Sequence, residues 1–189
     1  MSLLAEDLAL HRGGRWLVRD IGFSLSPGAA LLVQGRNGCG KSTLLRTLCG
    51  LRPLQAGSVS WHGRALPGGL DSLRAELAYV GHADGIRGDL TPEENLRAGL
   101  ALAGETCRPE QVDAALEAVG LGPHRRERGR AVAQGVRRRA ALARLWATRR
   151  RLWILDEPLA GLDVDATQAL ADRLRTHLRD GGLAVISCH

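Results

Sequence analysis

Lysine is almost absent from this 189-residue sequence: Lys41 is the only one, and every other strongly basic residue is arginine. Aromatic residues make up only 3% of the chain, so a core must be built mainly from Leu, Ala and Val. No apolar run approaches the roughly 20 residues that a membrane-spanning helix needs. The first residues also lack the basic segment and long apolar stretch of a signal peptide. A length of 189 residues suits a single domain, and the last two absences predict a protein that stays in the cytosol.

Cysteine pairs with metal-ligand spacing are also missing. The four cysteines, Cys39, Cys49, Cys107 and Cys188, include no C-x-x-C pair, which argues against a structural zinc site. Reduced thiols are the expected state in the cytosol.

Acidic residues are scarce in one segment. Between Arg125 and Arg151 there are eleven arginines and one acid, Glu127, which gives a formal charge of +10 against −4 for the remainder. Such a basic segment could bind nucleic acid, anionic lipid or an acidic partner protein, or it could be a solvent-exposed helix face. Because no aromatic residues alternate with the arginines and no nucleic-acid motif is present, we expect no specific nucleic-acid binding.

A glycine-rich loop is the strongest motif in the chain. Residues 35–42 match G-x-x-x-x-G-K-[ST], the phosphate-binding P-loop. The apolar run 29–33 before the loop predicts a buried strand, and residues 42–48 after it show helical spacing. Lys41 is expected to reach the β- and γ-phosphates, and Ser42 to hold Mg²⁺. The predicted nucleotide-binding residues here are Gly35, Arg36, Asn37, Gly38, Cys39, Gly40, Lys41, Ser42 and Thr43.

The order of the remaining patterns predicts an α/β fold. Strand patterns lie at both ends of the chain, and helical patterns occupy the middle. Thr91-Pro92-Glu93-Glu94 has the residues of a helix capping box. Strands are predicted at 3–10, 17–25, 59–61, 76–80, 152–155 and 183–187, and helices at 92–103, 109–120, 136–149 and 165–179.

Two acids follow the apolar run 152–155. A carboxylate at the end of a central parallel strand lies beside a P-loop, where Asp156 can hold Mg²⁺ through water. Glu157, one residue further on, can polarise a water for attack on the γ-phosphate.

The motifs together resemble those of ABC-type ATPases. Residues 156–163, DEPLAGLD, are similar to the Walker B motif and D-loop, residues 138–145 to the helix after the signature motif, and 186–189 to the switch-histidine strand. The resemblance implies a P-loop core with a parallel central sheet, an N-terminal antiparallel β subdomain and a helical insertion at about residues 83–150. It also implies a dimer of two copies that holds ATP between them, with Gly135 and His189 at the γ-phosphate and Asp163 at the interface.

A narrower resemblance is carried by residues 79–96, which include glycine-histidine where most ABC domains have glutamine. Here and at 152–155 and 162–165 the chain is similar to the CcmA branch, the ATP-binding subunits of the haem exporter in c-type cytochrome biogenesis. This implies an ATPase bound peripherally to the cytoplasmic face of the bacterial inner membrane, with membrane-spanning CcmB- and CcmC-like subunits as partners. It also places His82, with Ser42 and Asp156, among the metal-site residues, although a turn histidine is the alternative.

The sequence departs from the family at the signature motif. The family's Leu-Ser-x-Gly-Gln falls on residues 132–136, VAQGV, where only Gly135 matches. Ala133 offers no hydroxyl to the γ-phosphate, so we expect weaker ATP-driven closure or slower turnover. The usual adenine-stacking aromatic is also missing, and His11, Arg12 and Trp16 remain candidates. An ABC ATPase for another cargo, a low-turnover regulatory subunit and a nucleic-acid-associated ATPase are the alternative functions.

Overall fold

The structure is a computed structural model that describes residues 2–188, so the predicted γ-phosphate residue His189 lies outside the described residues. Eight strands and six helices form within residues 2–188. The strands are β1 (Leu3–Arg12), β2 (Arg15–Leu25), β3 (Ala30–Gln34), β4 (Ala56–Trp61), β5 (Arg64–Ala65), β6 (Leu77–Val80), β7 (Leu152–Asp156) and β8 (Leu183–Cys188). The helices are α1 (Lys41–Leu48), α2 (Leu70–Glu76), α3 (Pro92–Leu102), α4 (Pro109–Ala118), α5 (Gln134–Ala147) and α6 (Val164–Arg179).

Two four-stranded sheets carry the fold. One is antiparallel, with strand order β2-β1-β4-β5, and the other is parallel, with order β3-β8-β7-β6. All five residues of β7 are buried, as the continuous apolar run predicts for a central parallel strand. The carboxyl ends of β3, β7 and β8 meet at one edge of the parallel sheet, which brings the glycine loop, Asp156 and Ser187 together. The predicted α/β fold with a parallel sheet is confirmed.

The chain divides into two compact units. The sheet unit is built from the chain up to His82, from Arg150–Pro158 and from His177 onwards. The helical unit is built from Ala83–Arg149 and Leu159–Thr176. The expectation of one domain with a helical subdomain at about residues 83–150 stays a prediction.

Helices α3, α4 and α5 of the helical unit pack around a core of small and medium apolar side chains, among them Leu100, Val112 and Leu116. The capping box at the start of α3 is confirmed: the Glu94 amide donates to Thr91 Oγ1 at 3.2 Å, and the Thr91 amide donates to Glu94 Oε2 at 2.8 Å. This reciprocal pair satisfies two amides that a helix start otherwise leaves without partners.

The arginine-rich segment is not one solvated face. Arg125 Nη2 lies 2.7 Å from both Glu93 Oε2 and Asp113 Oδ1, and Arg138 is only 3% exposed, with Nη1 3.4 Å from Asp84 Oδ1. Arg125 and Arg97 both donate hydrogen bonds to the Glu93 carboxylate and hold its pKa below its ordinary value, the larger effect coming from Arg125. Part of this segment therefore links helices within the helical unit.

The observed elements differ from the predicted ones in several places. Strand β3, predicted to be buried, is largely exposed on one face, with Leu32 53% exposed. Glu76, predicted to begin a strand, ends the seven-residue helix α2, which is shorter than the window of about 11–18 residues over which helical periodicity is recognised. The two-residue strand β5 was also not predicted. Helix α5 begins at Gln134 and ends at Ala147, because Thr148 is extended and its hydroxyl lies 2.8 Å from Glu105 Oε1.

Candidate functional site

The glycine loop runs from β3 into α1 and forms a concave backbone surface. Gly38 and Gly40 have φ values of +80° and +110°, which other residues rarely adopt. A Cβ on Gly40 would also come within 2.9 Å of Leu17 Cβ, so there is no room for a side chain at Gly40. Gly40 is the N-cap of α1 and has no side chain to accept the first amides, which leaves them for an anion at the positive end of the helix.

Lys41 is buried at the centre of this surface, with 6% of the residue exposed. Its Nζ donates to the Gly35 carbonyl oxygen at 2.7 Å and lies 3.5 Å from Glu157 Oε1. Because the lysine is held by one neutral and one anionic oxygen, its ammonium group stays inside the loop with a fixed direction. The structure thus brings together the predicted phosphate-binding cation and the predicted base.

Asp156 and Glu157 end the central strand β7 in different environments. Asp156 is fully buried, and its Oδ1 accepts a 2.7 Å hydrogen bond from Ser187 Oγ. The Glu157 side chain is 12% exposed and faces the loop, and its amide donates to Ser187 Oγ at 2.9 Å. Glu157 has a φ of +49°, a strained value for a residue with a side chain. The two acids therefore point to different places although they are adjacent in sequence.

His82 follows β6 and reaches the same carboxylate. Its Nδ1 lies 3.3 Å from Glu157 Oε2, while 64% of its side chain remains exposed. Glu157 is thus contacted by Lys41 on one oxygen and by His82 on the other.

A pocket opens over the loop, and most of the predicted binding residues line it. The lining residues are Arg12, Leu17, Asn37, Gly38, Gly40, Lys41, Ser42, Thr43 and Glu157. Among the adenine candidates, Arg12 belongs to this wall, whereas Trp16 packs edge-on against His11 at 5.3 Å and under Arg19 at 4.5 Å. Leu17 was missed, because one apolar residue in a strand pattern gives no sequence signal for a pocket.

All four cysteines are free, as expected for the reduced state. Burial at the end of α1 raises the pKa of the Cys49 thiol, and the negative charge of Asp156 raises it further. Cys49 therefore stays protonated and packs as an apolar side chain in the sheet-unit core.

The predicted signature segment lies in the helical unit and begins α5. Ala133 is the N-cap and offers no side-chain hydrogen bond to the helix amides. A Cβ on Gly135 would lie 3.2 Å from the Gly161 carbonyl oxygen, so this glycine permits close approach of the loop before α6. Val132 and Val136 are buried in the helical-unit core, which accounts for apolar residues at these two positions.

The loop before α6 ends in a capping residue. Asp163 Oδ1 accepts from the Ala166 amide at 2.8 Å, and its side chain thus stabilises the helix start. Asp163 is exposed, so its predicted place at a dimer interface remains a prediction.

Comparisons with known proteins identify the family that this chain is similar to. A family model described as "ABC transporter" matches residues 18–160. The chain is 47% identical over 187 residues to "Cytochrome c biogenesis ATP-binding export protein CcmA" from Cupriavidus necator, covering 99% of this chain and 82% of that protein. A Pseudomonas aeruginosa protein of the same name is 44% identical, with 99% and 92% covered.

Two solved structures share the fold. A putative ABC transporter ATP-binding protein from Pyrococcus furiosus superposes with a TM-score of 0.87 at 21% identity and covers 100% of this chain and 92% of its own. A structure titled as the ATP binding subunit of an ABC transporter also gives 0.87, at 25% identity, with 100% and 80% covered.

Proposed function

Because the chain belongs to the ABC transporter family, and within it to the CcmA proteins, we propose that it is the ATP-hydrolysing subunit of the haem exporter used in c-type cytochrome biogenesis. The observation that best supports ATP hydrolysis is that Lys41 Nζ lies 3.5 Å from Glu157 Oε1. Both residues line the pocket that also contains the glycine loop. Phosphate-binding cation, base and helix N-terminus face one space, which is the arrangement that phosphoryl transfer to water requires.

Each site residue has a role in this proposal. The loop amides of residues 35–43 and the Lys41 ammonium bind the phosphates and stabilise the charge that develops on them. Glu157 orients the attacking water and accepts its proton on a carboxylate oxygen. His82 contacts that same carboxylate, so we assign it the task of holding Glu157 in place.

Mg²⁺ fits the residues that would hold it. The Ser42 hydroxyl and the Asp156 carboxylate are hard oxygen donors of the kind that Mg²⁺ prefers, whereas the His82 nitrogen suits it poorly. We therefore assign His82 to the positioning of Glu157 and not to the metal ligands. When bound, the ion neutralises phosphate charge.

Two copies of the chain would complete the sites. In this arrangement, Gly135 at the start of α5 offers backbone amides to the γ-phosphate bound by the other copy. His189 would contact the same phosphate group, and Asp163 would lie at the interface. ATP then holds the pair closed and hydrolysis allows it to open, which drives the partner subunits.

The proposed partners are membrane-spanning CcmB- and CcmC-like subunits, with the chain bound peripherally at the cytoplasmic face of the bacterial inner membrane. None of the helices formed by residues 2–188 combines the length and apolar character needed to cross a bilayer. Co-expression and co-purification with these subunits tests the proposal, which requires a complex whose ATPase activity exceeds that of the same complex carrying Glu157→Gln. Recovery of the chain without any membrane subunit would contradict the transporter assignment.

One observation favours a second candidate, a nucleotide-binding subunit with low turnover. Ala133 at the N-cap of α5 supplies no hydroxyl, either to the helix amides or to a phosphate. In a pair of identical copies both sites would lack this group. ATP-dependent pairing without hydrolysis above the Glu157→Gln level would support this alternative.

Replacing Ala133 by serine is expected to stabilise the protein and to raise turnover. A serine N-cap accepts a hydrogen bond from the first helical turn, and the gain over alanine is about 1 kcal/mol. Chemical denaturation measures the free energy of unfolding, and steady-state kinetics measures ATP hydrolysis. The control is Ala114→Ser, at an exposed position inside α4, where serine should slightly lower stability and leave turnover unchanged. A more stable Ala133→Ser protein with unchanged turnover would show that the missing hydroxyl does not limit hydrolysis.

A further inference from the structure

A single buried hydroxyl connects the two acids of the site. Ser187 is fully buried in β8, directly opposite Asp156 in the register with β7. Its Oγ donates to Asp156 Oδ1 at 2.7 Å and accepts the Glu157 amide proton at 2.9 Å. The hydroxyl therefore uses its proton on one acid and a lone pair on the backbone of the other.

The surroundings of Ser187 make a purely packing role a poor explanation. The four residues before it in β8 are apolar, and a hydroxyl in such a strand is costly unless it is hydrogen-bonded. Both of its partners here belong to the acidic pair of the site rather than to the backbone of its own strand. An alanine would fill much the same volume without the polar group.

Each of the two bonds constrains a different property of the site. The bond to Asp156 Oδ1 occupies one carboxylate oxygen and so sets the plane of the carboxylate. The bond from the Glu157 amide holds a backbone whose φ of +49° is strained. Without the second bond, Glu157 can relax towards an ordinary φ, which would move its carboxylate away from Lys41.

We propose that Ser187 is a positioning residue that aligns both Asp156 and Glu157 for ATP hydrolysis without touching the nucleotide. This inference rests on the proposed function of the site. It adds that the alignment of the metal-binding and base carboxylates depends on one hydroxyl from the neighbouring strand.

The test compares Ser187→Ala with Ser187→Thr in the full chain. For Ser187→Ala we expect kcat to fall about 10- to 100-fold, as on removal of other groups that orient metal ligands. The Mg²⁺ concentration for half-maximal ATP binding should rise, and ATP affinity measured in EDTA should stay unchanged. Ser187→Thr keeps the hydroxyl, so its kcat and its Mg²⁺ concentration for half-maximal ATP binding should be close to those of the wild-type protein. If alanine or threonine prevents folding, Ser187→Cys, a weaker donor of similar size, should give an intermediate loss.

A readout without any ligand separates positioning from general destabilisation. Amide hydrogen exchange at Glu157 should become faster in Ser187→Ala and return towards the wild-type rate in Ser187→Thr. The matched control is Thr148→Val, which removes a buried hydroxyl that bonds Glu105 in the helical unit. This variant should lose stability while kcat and Glu157 exchange stay at wild-type values.

The last measurement compares the Mg²⁺ midpoint of ATP binding in Asp156→Asn with that in the double variant Asp156→Asn, Ser187→Ala. If Ser187 acts through Asp156, adding Ser187→Ala there should not shift the Mg²⁺ midpoint further, because the two changes are not additive. Wild-type kcat, Mg²⁺ midpoint and Glu157 exchange in Ser187→Ala would overturn the inference. Absence of hydrolysis by the wild-type protein with its membrane subunits would instead overturn the proposed function, and the exchange measurement would still test Ser187.

Discussion

Glutamine in place of Glu157 is expected to stop ATP turnover while ATP binding persists. The glutamine has nearly the same shape and still offers an oxygen to Lys41, 3.5 Å away, but it cannot take a proton from water. Loss of a general base lowers rates about 10²- to 10⁴-fold, which corresponds to about 3–5 kcal/mol of transition-state stabilisation. Single-turnover hydrolysis and equilibrium binding of ATP, measured on the same preparation, separate the two effects.

A matched control exists elsewhere in the sheet unit. Glu76 Oε1 lies 3.0 Å from His62 Nε2, so Glu76→Gln also removes a carboxylate that contacts a histidine. This control should hydrolyse ATP at the wild-type rate. If Glu157→Gln lost only a fewfold in rate, the proton would have to be accepted elsewhere and the assignment of Glu157 would be wrong.

The parts of the site that could be predicted from the sequence are those set by neighbouring residues. The glycine loop needs particular φ values within eight residues, and β7 needs apolar residues on both faces followed by acids. Both requirements leave a local pattern that is visible without a structure. The capping box at Thr91 was predictable for the same reason, since all of its partners lie within one helical turn.

The contacts that could not be predicted from the sequence join residues that are far apart along the chain. Ser187 lies 30 residues beyond Glu157, and only the parallel pairing of β7 with β8 brings the hydroxyl to the acids. Leu17 reaches the pocket because β2 passes the glycine loop, where a Cβ on Gly40 would touch it. Neither contact has a spacing rule, because the intervening chain can vary in length without changing the contact.

The sequence also left the contacts of His82 open. Its position in a turn after a strand is compatible with a solvent-exposed side chain, and 64% of it is indeed exposed. The contact with Glu157 arises because β6 and β7 are parallel neighbours that end at the same edge. We propose that this contact with Glu157 is the physical role of His82, which stands where most ABC domains have glutamine.

Replacing Lys41 is expected to weaken ATP binding rather than only hydrolysis. A charge-assisted hydrogen bond contributes about 1.5–3 kcal/mol, so Lys41→Ala should bind Mg-ATP about 10- to 100-fold more weakly. Lys41→Arg retains the charge, but the planar guanidinium cannot replace a compact ammonium whose residue is only 6% exposed. Arginine should therefore fail to rescue binding, although arginine serves as the basic residue everywhere else in this chain.

The scarcity of lysine makes this prediction testable in the unaltered protein. Because Lys41 is the only lysine, an amine-reactive reagent can modify just two amines, each in its deprotonated form: the Lys41 side-chain amine, which lines the pocket, and the chain's α-amino group. Mg-ATP should protect Lys41 from modification, while modification of the α-amino group proceeds and serves as an internal control in the same mass spectrum. Adenosine, which has no phosphates, should give no protection. Equal protection of Lys41 by adenosine would show that the pocket binds the base and sugar rather than the phosphates. The assignment of the glycine loop to phosphate binding would then be wrong.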